Sequence, residues 1–340
     1  MSLWTRVKVS RIEDLDAALW KDRTLVRAWC MRRTMFLLPS DELAIFARGT
    51  AKRPEYNLRW AVARVASRQR LDKLLDDVTE ILKEPRSRND IARLLKSQGH
   101  RLTLKAGGGW GDSRSVPHVE VGVASFSVGF LLHIIGAREV VCCGPSVGNE
   151  STYVRAETWL PHWKDVPQER AEDDLLVKYL KAFGPATVSD FALWIGLYVR
   201  DAKEIWSRAA GKNAEVDVEG WMAGILHSDL PELAGTRTGQ HVVRILPFFD
   251  SFVLGHKSHL NIVDEKNKKR VYRAQGWVSS VLLVDGRAQG VWSHVRHGGD
   301  VEVRVTPFST LATKVSSQLR EEASNLGEFL GCPNVKTVVK

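Results

Sequence analysis

Long apolar runs are missing from this chain: no segment reaches the roughly 18 unbroken apolar residues that a spanning helix needs, so no transmembrane helix is expected. The N-terminus, MSLWTRVKVSRIEDLDAAL, carries acidic residues and lacks the apolar centre of a secretory signal, which makes a cytoplasmic protein the expectation. Cysteine is scarce. The four cysteines, at positions 30, 142, 143 and 332, form no CxxC pair and no disulfide framework. Cys142 and Cys143, adjacent in the strand-like EVVCCG, read as core packing. Metal ligands are equally thin, because His256 with His259, or His294 with His297, would each need third and fourth ligands that the neighbouring sequence does not supply. Neither a metal nor a cofactor is expected.

Acid is the other shortage. With 40 Asp and Glu against 49 Lys and Arg, the chain of 340 residues carries a formal net charge of +9. A balance of that sign favours a polyanion as partner, nucleic acid ahead of an acidic membrane surface. The length exceeds one hydrophobic core, so two or three domains are expected, with a monomer as the default state.

What is present is a recurring order of helices and strands. The first fifty residues read as an amphipathic helix (IEDLDAALWKD), one strand (LVRAWCMRRTMFLL) and a helix opening at PSDELAIFARG, where Ser40 caps and Asp41 and Glu42 suit the helix dipole. Over 67–83, SRQRLDKLLDDVTEILK repeats Leu71, Leu74, Leu75, Val78, Ile81 and Leu82 at helical spacing and stops before Pro85. A second helix, SRNDIARLLKSQG, precedes a glycine-rich polar interruption (LKAGGGWGDSRSVPH). Then come an apolar helix (VASFSVGFLLHIIGA, with His133 as a core histidine) and two strands, REVVCCG and STYVRAETWL. Helices followed by a two-stranded wing describe a winged helix, a form of the helix-turn-helix. The order recurs over 170–227: a helix, a Gly184-Pro185 turn, a Thr187 cap and a second helix, then a third helix in YVRDAKEIWSRAA and the strands AEVDV and GWMAGIL. The expected fold class is therefore α+β, built on tandem winged-helix modules.

Two later segments hold the densest chemistry. ILPFFDSFVLGHKSHL, at 245–260, sets Asp250 and a cluster of His and Lys behind an apolar run. GWVSSVLLVDGRAQGVW, at 276–292, reads as a β-hairpin, since Asp285-Gly286 tolerates the positive φ of a type I′ turn. Beyond it, the period of two in VWSHVRH puts Trp292, His294 and Arg296 on one face, giving the strand a polar, basic side. The run KNKKR, at 266–270, reads as a solvated loop that acts through charge alone.

Four segments carry a family resemblance in their order and spacing: LVRAWCMRRTMFLLPSDEL at 25–43, KYLKAFGPATVSDFALWIGL at 178–197, ILPFFDSFVLG at 245–255, and the hairpin at 276–292. The chain resembles the winged-helix DNA-binding family of the AlkZ and YcaQ type DNA glycosylases, in which tandem winged helices surround a C-terminal β-barrel. The resemblance implies a partial first winged helix at 1–66, a second at 67–165, a third at 166–232, a β-barrel-like domain at 233–310, and a C-terminal helix and tail at 311–340. It implies hydrolysis of the N-glycosidic bond of an alkylated purine, acting on double-stranded DNA that is alkylated or crosslinked. A cationic N7-modified base is already a good leaving group, so the enzyme needs mainly to position water and stabilise an oxocarbenium-like sugar. Asp250, in LPFFD, is the candidate catalytic carboxylate, set against a plain Asp that caps a turn or pairs with Lys257. Arg27, Arg32, Arg33, His256, Lys257, His294, Arg296 and His297 are the candidate phosphate contacts, although Arg27 and Arg32, five apart in one strand, face opposite ways.

One family feature is absent. The glycosylases carry Gln, an apolar residue, then Gln or Asp upstream of the first winged helix's strand, thought to position the hydrolytic water. The glutamines of this chain, Gln69, Gln98, Gln168, Gln240, Gln275, Gln289 and Gln318, are never paired at that spacing. Either the protein begins farther upstream, or the branch keeps DNA binding without hydrolysis, as a transcription regulator or accessory factor would. The apolar faces of Leu15, Leu19 and Trp29, short of part of their cover, lean toward the first.

Overall fold

The computed structural model describes residues 3–7, 12–106, 115–236, 242–259 and 261–340. The chain divides into two compact units, one made of Asp16–Lys178 and Ile195–Gly211, the other of Met1–Leu15, Tyr179–Trp194 and Lys212–Lys340. Helix and strand are mixed throughout, and no helix among the described residues is long and apolar enough to cross a membrane.

In the first unit, β1 (Leu25–Trp29) pairs antiparallel with β2 (Met35–Pro39). The single strand expected here is a hairpin. Two consecutive left-handed residues, Arg32 at φ +55° and Arg33 at φ +58°, reverse the chain, and the Cys30 N–H closes the turn on the Thr34 carbonyl at 3.1 Å. Arg27 thus lies in a strand and Arg32 in a turn, not on opposite faces of one strand. Ser40 falls inside a 3-10 turn, Ser40–Glu42, and the N-cap of α1 (Leu43–Gly49) is Glu42, so Ser40 does not cap that helix.

Next come α2 (Lys52–Val62) and α3 (Arg68–Ile81). The Ser67 hydroxyl accepts the Arg70 N–H at 3.3 Å, and α3 buries Leu71, Leu74, Leu75, Val78 and Ile81 as their spacing dictates. A short strand, β3 (Arg86–Ser87), leads into α4 (Arg88–Ser97), where Ser87 and Asp90 form a reciprocal capping box. The glycine-rich interruption is in part regular structure. Residues 102–106 form β4 (Leu102–Ala106) and residues 115–118 open β5 (Ser115–Val121), while 107–114 lie outside the described residues.

The apolar segment expected to be one helix begins as β6 (Ala124–Ser127), because its Ser-Phe-Ser alternation suits a half-buried strand. Only after Ser127, whose hydroxyl accepts the Phe130 N–H at 3.1 Å, does α5 (Val128–Ile134) start. The strands β7 (Val141–Val147) and β8 (Glu150–Arg155) return antiparallel, and β8 also pairs with β3, giving a sheet of order β3-β8-β7. The cores of α3, α4 and α5 merge with Val119, Phe126 and Cys143 into one buried cluster. Truncating any of its fully buried leucines to alanine costs about 2–5 kcal/mol.

Farther along come α6 (Gln168–Phe183), α7 (Val188–Ile195) and α8 (Val199–Arg208). Thr187 caps α7 as its sequence position suggested, its Oγ1 accepting the Asp190 N–H at 3.2 Å while Asp190 accepts the Thr187 N–H at 2.8 Å. In the second unit, β9 (Asn213–Val218) and β10 (Trp221–Leu226) form a hairpin. A five-stranded sheet follows: β11 (Val243–Leu246), β12 (Val281–Val284), β13 (Arg287–His297), β14 (Asp300–Pro307) and β15 (Asn334–Val339), hydrogen-bonded in chain order.

This sheet is not a closed barrel: β11 and β15 end it as separate edges. The reason is its cover. A helix, α9 (Thr313–Phe329), crosses from β14 to β15, which is what makes that pair parallel, and lays Val315, Leu319, Ala323 and Leu326 over Val301, Val303 and Val305. The opposite face is sealed by Val253, Ile262, Val263, Val271 and Val278 over Val281 and Leu283. With both faces dry, there is no lumen for the sheet to close around.

The Asp285-Gly286 hairpin forms as expected, with φ of +49° and +80° and Val284 opposite Arg287. The face expected to be polar does not. Trp292 and His294 pair with Val305 and Val303, and Trp292 is buried with its Nε1 donating to the Leu246 carbonyl at 2.8 Å. That side of β13 is the core side, and only its far end, at Arg296, reaches solvent.

Candidate nucleic-acid interface

Helix α2 is short of apolar residues and rich in cations and rings. Its third residue is Pro54, tolerated because the first turn of a helix has no intrahelical use for its N–H. Arg53, Tyr56, Trp60 and Arg64 recur three or four residues apart and so share one stripe, with Arg59 beside them. Tyr198 and Arg200, at the start of α8, complete the set within the same unit.

The contacts are guanidinium on ring. Arg64 lies 3.8 Å from the Trp60 ring centroid and Arg59 lies 4.7 Å from that of Tyr56. Arg200 sits 5.8 Å from Tyr56 and 5.5 Å from Tyr198, and Arg53 sits 5.7 Å from Tyr198. Trp60 is 46% and Tyr198 52% exposed, so the rings hold the cations at the surface rather than bury them. The frame beneath is fixed: the Tyr56 hydroxyl donates to the buried Asp201 at 2.8 Å, and Trp60 packs edge-on against Phe130 at 5.7 Å.

The same unit holds a cavity of about 50 Å³, whose lining includes Arg32, Arg33, Arg53 and His133 together with Glu139 and Gly196. Burial depresses the Arg32 guanidinium below its usual pKa, and burial followed by repulsion from Arg53 does the same to Arg33. Burial, then Arg33 and Arg53, push His133 down to about 4, so its imidazole is neutral at pH 7 and Nε2 accepts from the Asn57 amide at 2.7 Å. Three clustered cations beside a neutral base suit an anion. Glu139 is in turn held by Arg155 at 3.4 Å. The approach is close: a Cβ at Gly196, where φ is +84°, would stand 2.8 Å from the Arg32 backbone.

Of the residues singled out from sequence, Arg32 and Arg33 meet in this cavity. Arg27 lies apart on β1, half-buried, 5.5 Å from the Trp20 ring. In the second unit, His256 lies edge-on to Phe183 with Nε2 3.3 Å from the Pro185 carbonyl, and Lys257 is exposed while its backbone N–H donates to Asp190 at 2.8 Å. His294 is half-buried 5.8 Å from Trp292, its pKa lowered by burial and then by Arg296. Arg296 and His297 are exposed at the end of β13.

Asp250 is fully buried. Both carboxylate oxygens are held by the Arg6 fork, at 2.7 and 2.9 Å, and Oδ1 also accepts the Phe252 N–H at 2.9 Å. Its ionic partner is Arg6, from the far N-terminal segment, rather than Lys257. No group of three or more potential metal ligands gathers among the described residues. Sequence reasoning passed over the α2 face altogether, although the spacing of Arg53, Tyr56, Trp60 and Arg64 in KRPEYNLRWAVAR was open to a helical projection.

An arginine and aromatic face beside a cavity lined by three arginines, on a mixed helix and strand frame, has the charge and ring chemistry that suits a nucleic acid. The chain belongs to the DNA glycosylase AlkZ-like family, whose model matches residues 1–329. It is 29% identical over 326 residues to an interstrand DNA cross-link repair glycosylase of Streptomyces sahachiroi, covering 91% of this chain and 80% of that one. The solved structure of Streptomyces sahachiroi DNA glycosylase AlkZ superposes with a TM-score of 0.75 at 26% identity, over 96% of this chain and 85% of the other.

Proposed function

We propose that this protein binds double-stranded DNA carrying alkylated or crosslinked purines and acts in their repair by releasing the modified base. The observation that carries the proposal is the α2 face, where Arg53, Arg59, Arg64 and Arg200 are spread over Tyr56, Trp60 and Tyr198. Guanidiniums splayed on exposed Trp60 and Tyr198 and half-buried Tyr56 suit phosphates along a duplex, and the affinity they supply is largely indifferent to sequence. Arg32 and Arg33 add a recessed anion contact, while Arg27, Lys257 and Arg296 contribute through charge at most. The elements α3, β3, α4, α5, β7 and β8 read as a winged helix with β4, β5 and β6 inserted between its helices.

For the chemistry, a cationic leaving base needs a positioned water and a stabilised sugar cation. In this reading Asp250 supplies neither directly, since its carboxylate is enclosed by Arg6 and a backbone N–H; it holds the loop that follows β11. That enclosure favours a second reading in which the chain binds DNA without hydrolysis.

The test is base release from a duplex with a single N7-methylguanine, read by alkaline cleavage of the abasic product, alongside binding to the same duplex unmodified. Release above the spontaneous rate supports the repair enzyme. Tight, salt-dependent binding without release supports the second reading, and absence of both removes the DNA proposal.

A further inference from the structure

The motif LPFFD places two phenylalanines where solvent reaches them. Phe248 is 53% and Phe249 40% exposed, and a third ring, Trp277 at 38%, joins them. The three touch one another: Phe248 stacks on Trp277 at 5.8 Å with 14° between planes, while Phe249 stands edge-on to Trp277 at 5.2 Å and to Phe248 at 6.0 Å.

The backbone is bent to present them. Phe249 is left-handed at φ +56°, and so are Gln275 at +60° and Gly276 at +75°, immediately before Trp277. Two turns fix the cluster from below. Asp250 clamps the first through Arg6 and the Phe252 N–H, and the Phe249 N–H donates to the Val278 carbonyl at 3.3 Å. In the second, the Arg273 N–H donates to the Trp277 carbonyl at 2.7 Å. Strained backbone that holds large rings in water points to something that covers them.

Charge says what. The segment leading into Trp277 carries exposed Lys269 and Arg273, beside Lys268 paired with Glu265 at 3.5 Å and Arg270 over the Phe308 ring at 4.4 Å, and the carboxylate of the motif, Asp250, is already neutralised by Arg6. Flat exposed ring faces, one of them following a chain segment rich in cations, match a group that is aromatic and attached to an anionic backbone.

We propose that Phe248, Phe249 and Trp277 form a stacking platform for an unpaired nucleobase of DNA. The proposal rests on the reading of this chain as a DNA-binding protein. It adds a preference for DNA in which one base is free of its partner.

The test compares fluorescence anisotropy of the full chain, at one salt concentration, on a paired duplex and on the same duplex with one unpaired adenine. Wild type is expected to bind the second more tightly. In Phe248→Ala and Trp277→Ala, affinity for the unpaired-base duplex is expected to fall about 5- to 100-fold, with the paired duplex changed less than about twofold. Phe248→Tyr should restore the preference and Phe248→Leu should not, which separates stacking from mere apolarity; thermal melts check that each variant is folded. Unchanged preference in folded Phe248→Ala and Trp277→Ala overturns the platform. Wild type that binds both duplexes equally also overturns it and leaves DNA binding intact, whereas wild type that binds neither sinks both.

Discussion

Replacing Arg6 by alanine isolates one buried carboxylate. Asp250 has no exposure, and the guanidinium fork satisfies both of its oxygens, leaving only the Phe252 N–H once Arg6 is gone. Breaking a fully buried pair from one side costs about 3–5 kcal/mol, because an uncompensated charge stays behind. Arg6 is itself 42% exposed, so water can enter where the guanidinium was, and half of that figure, about 2 kcal/mol, is the expected loss. The N-terminal segment keeps a second anchor in Trp4, which packs against Phe329 at 6.3 Å, so the effect stays local to the pair. Thermal unfolding should shift by about 4–8 °C. Asp250→Asn retains the acceptor for Phe252 but turns an amide toward Arg6. In a double-mutant cycle with Arg6→Ala, the coupling should be at least about 1 kcal/mol. An Arg6→Ala protein within about 0.5 kcal/mol of wild type refutes the pairing. Asp250→Asn that loses base release while keeping full stability would instead return the carboxylate to the chemistry.

The α2 face predicts that Arg59→Ala with Arg64→Ala lowers the slope of log affinity against log salt by about 2, for damaged and intact duplex alike; an unchanged slope places the phosphates elsewhere. His133 gives a pH signature. Its folded value, about 4, lies below the unfolded value near 6.5, so between these limits the unfolded chain binds the extra proton and stability falls as the pH drops from 6.5 to 4. Urea melts of His133→Gln should show a flatter dependence over that window, and an identical curve would refute a neutral buried imidazole. At position 33, glycine and alanine both remove the guanidinium but only glycine relaxes φ +58°, so Arg33→Gly should melt as the more stable of the two by about 1 kcal/mol. Both should bind DNA more weakly than wild type in the same anisotropy assay.

The parts of the fold that were legible in the sequence are those with a local cause. Leu71, Leu74, Leu75, Val78 and Ile81 repeat at helical spacing and are buried accordingly, and Thr187 caps the helix it precedes. Asp285-Gly286 makes its turn for reasons contained in two residues. Some parts were misread although their cause is local, as with the strand Ala124–Ser127; the others depend on distant residues. Nothing near Arg32 announces a left-handed pair, because the residue that permits the close approach is Gly196, more than 160 positions away. The inward turn of Trp292 and His294 follows from α9, which lies after β14 in the chain, and the same helix keeps the sheet open where a barrel was expected. The partner of Asp250 is 244 residues distant, and no local pattern could have supplied it.

Backbone strain is concentrated where the side chains have most to do. Among the described residues, eight that are not glycine hold positive φ: Arg23, Arg32, Arg33, Glu219, Phe249, His259, Gln275 and Asp285. Asp285 is explained by its hairpin. Arg32 and Arg33 are the turn that brings two arginines to the lining of one cavity, and Phe249 and Gln275 are the turns that hold three rings in solvent. Stability alone would place glycine or asparagine at such positions, because a left-handed L-residue costs about 1–2 kcal/mol. Two arginines and a phenylalanine are the opposite choice. In each case the surrounding packing over-determines the conformation: Gly196 against the Arg32 backbone, and the Arg6 and Asp250 pair next to Phe249. The strain is therefore spent on what the side chains reach: in the proposed reading, the first unit's arginines and rings face phosphates, and the second unit's aromatic faces meet bases.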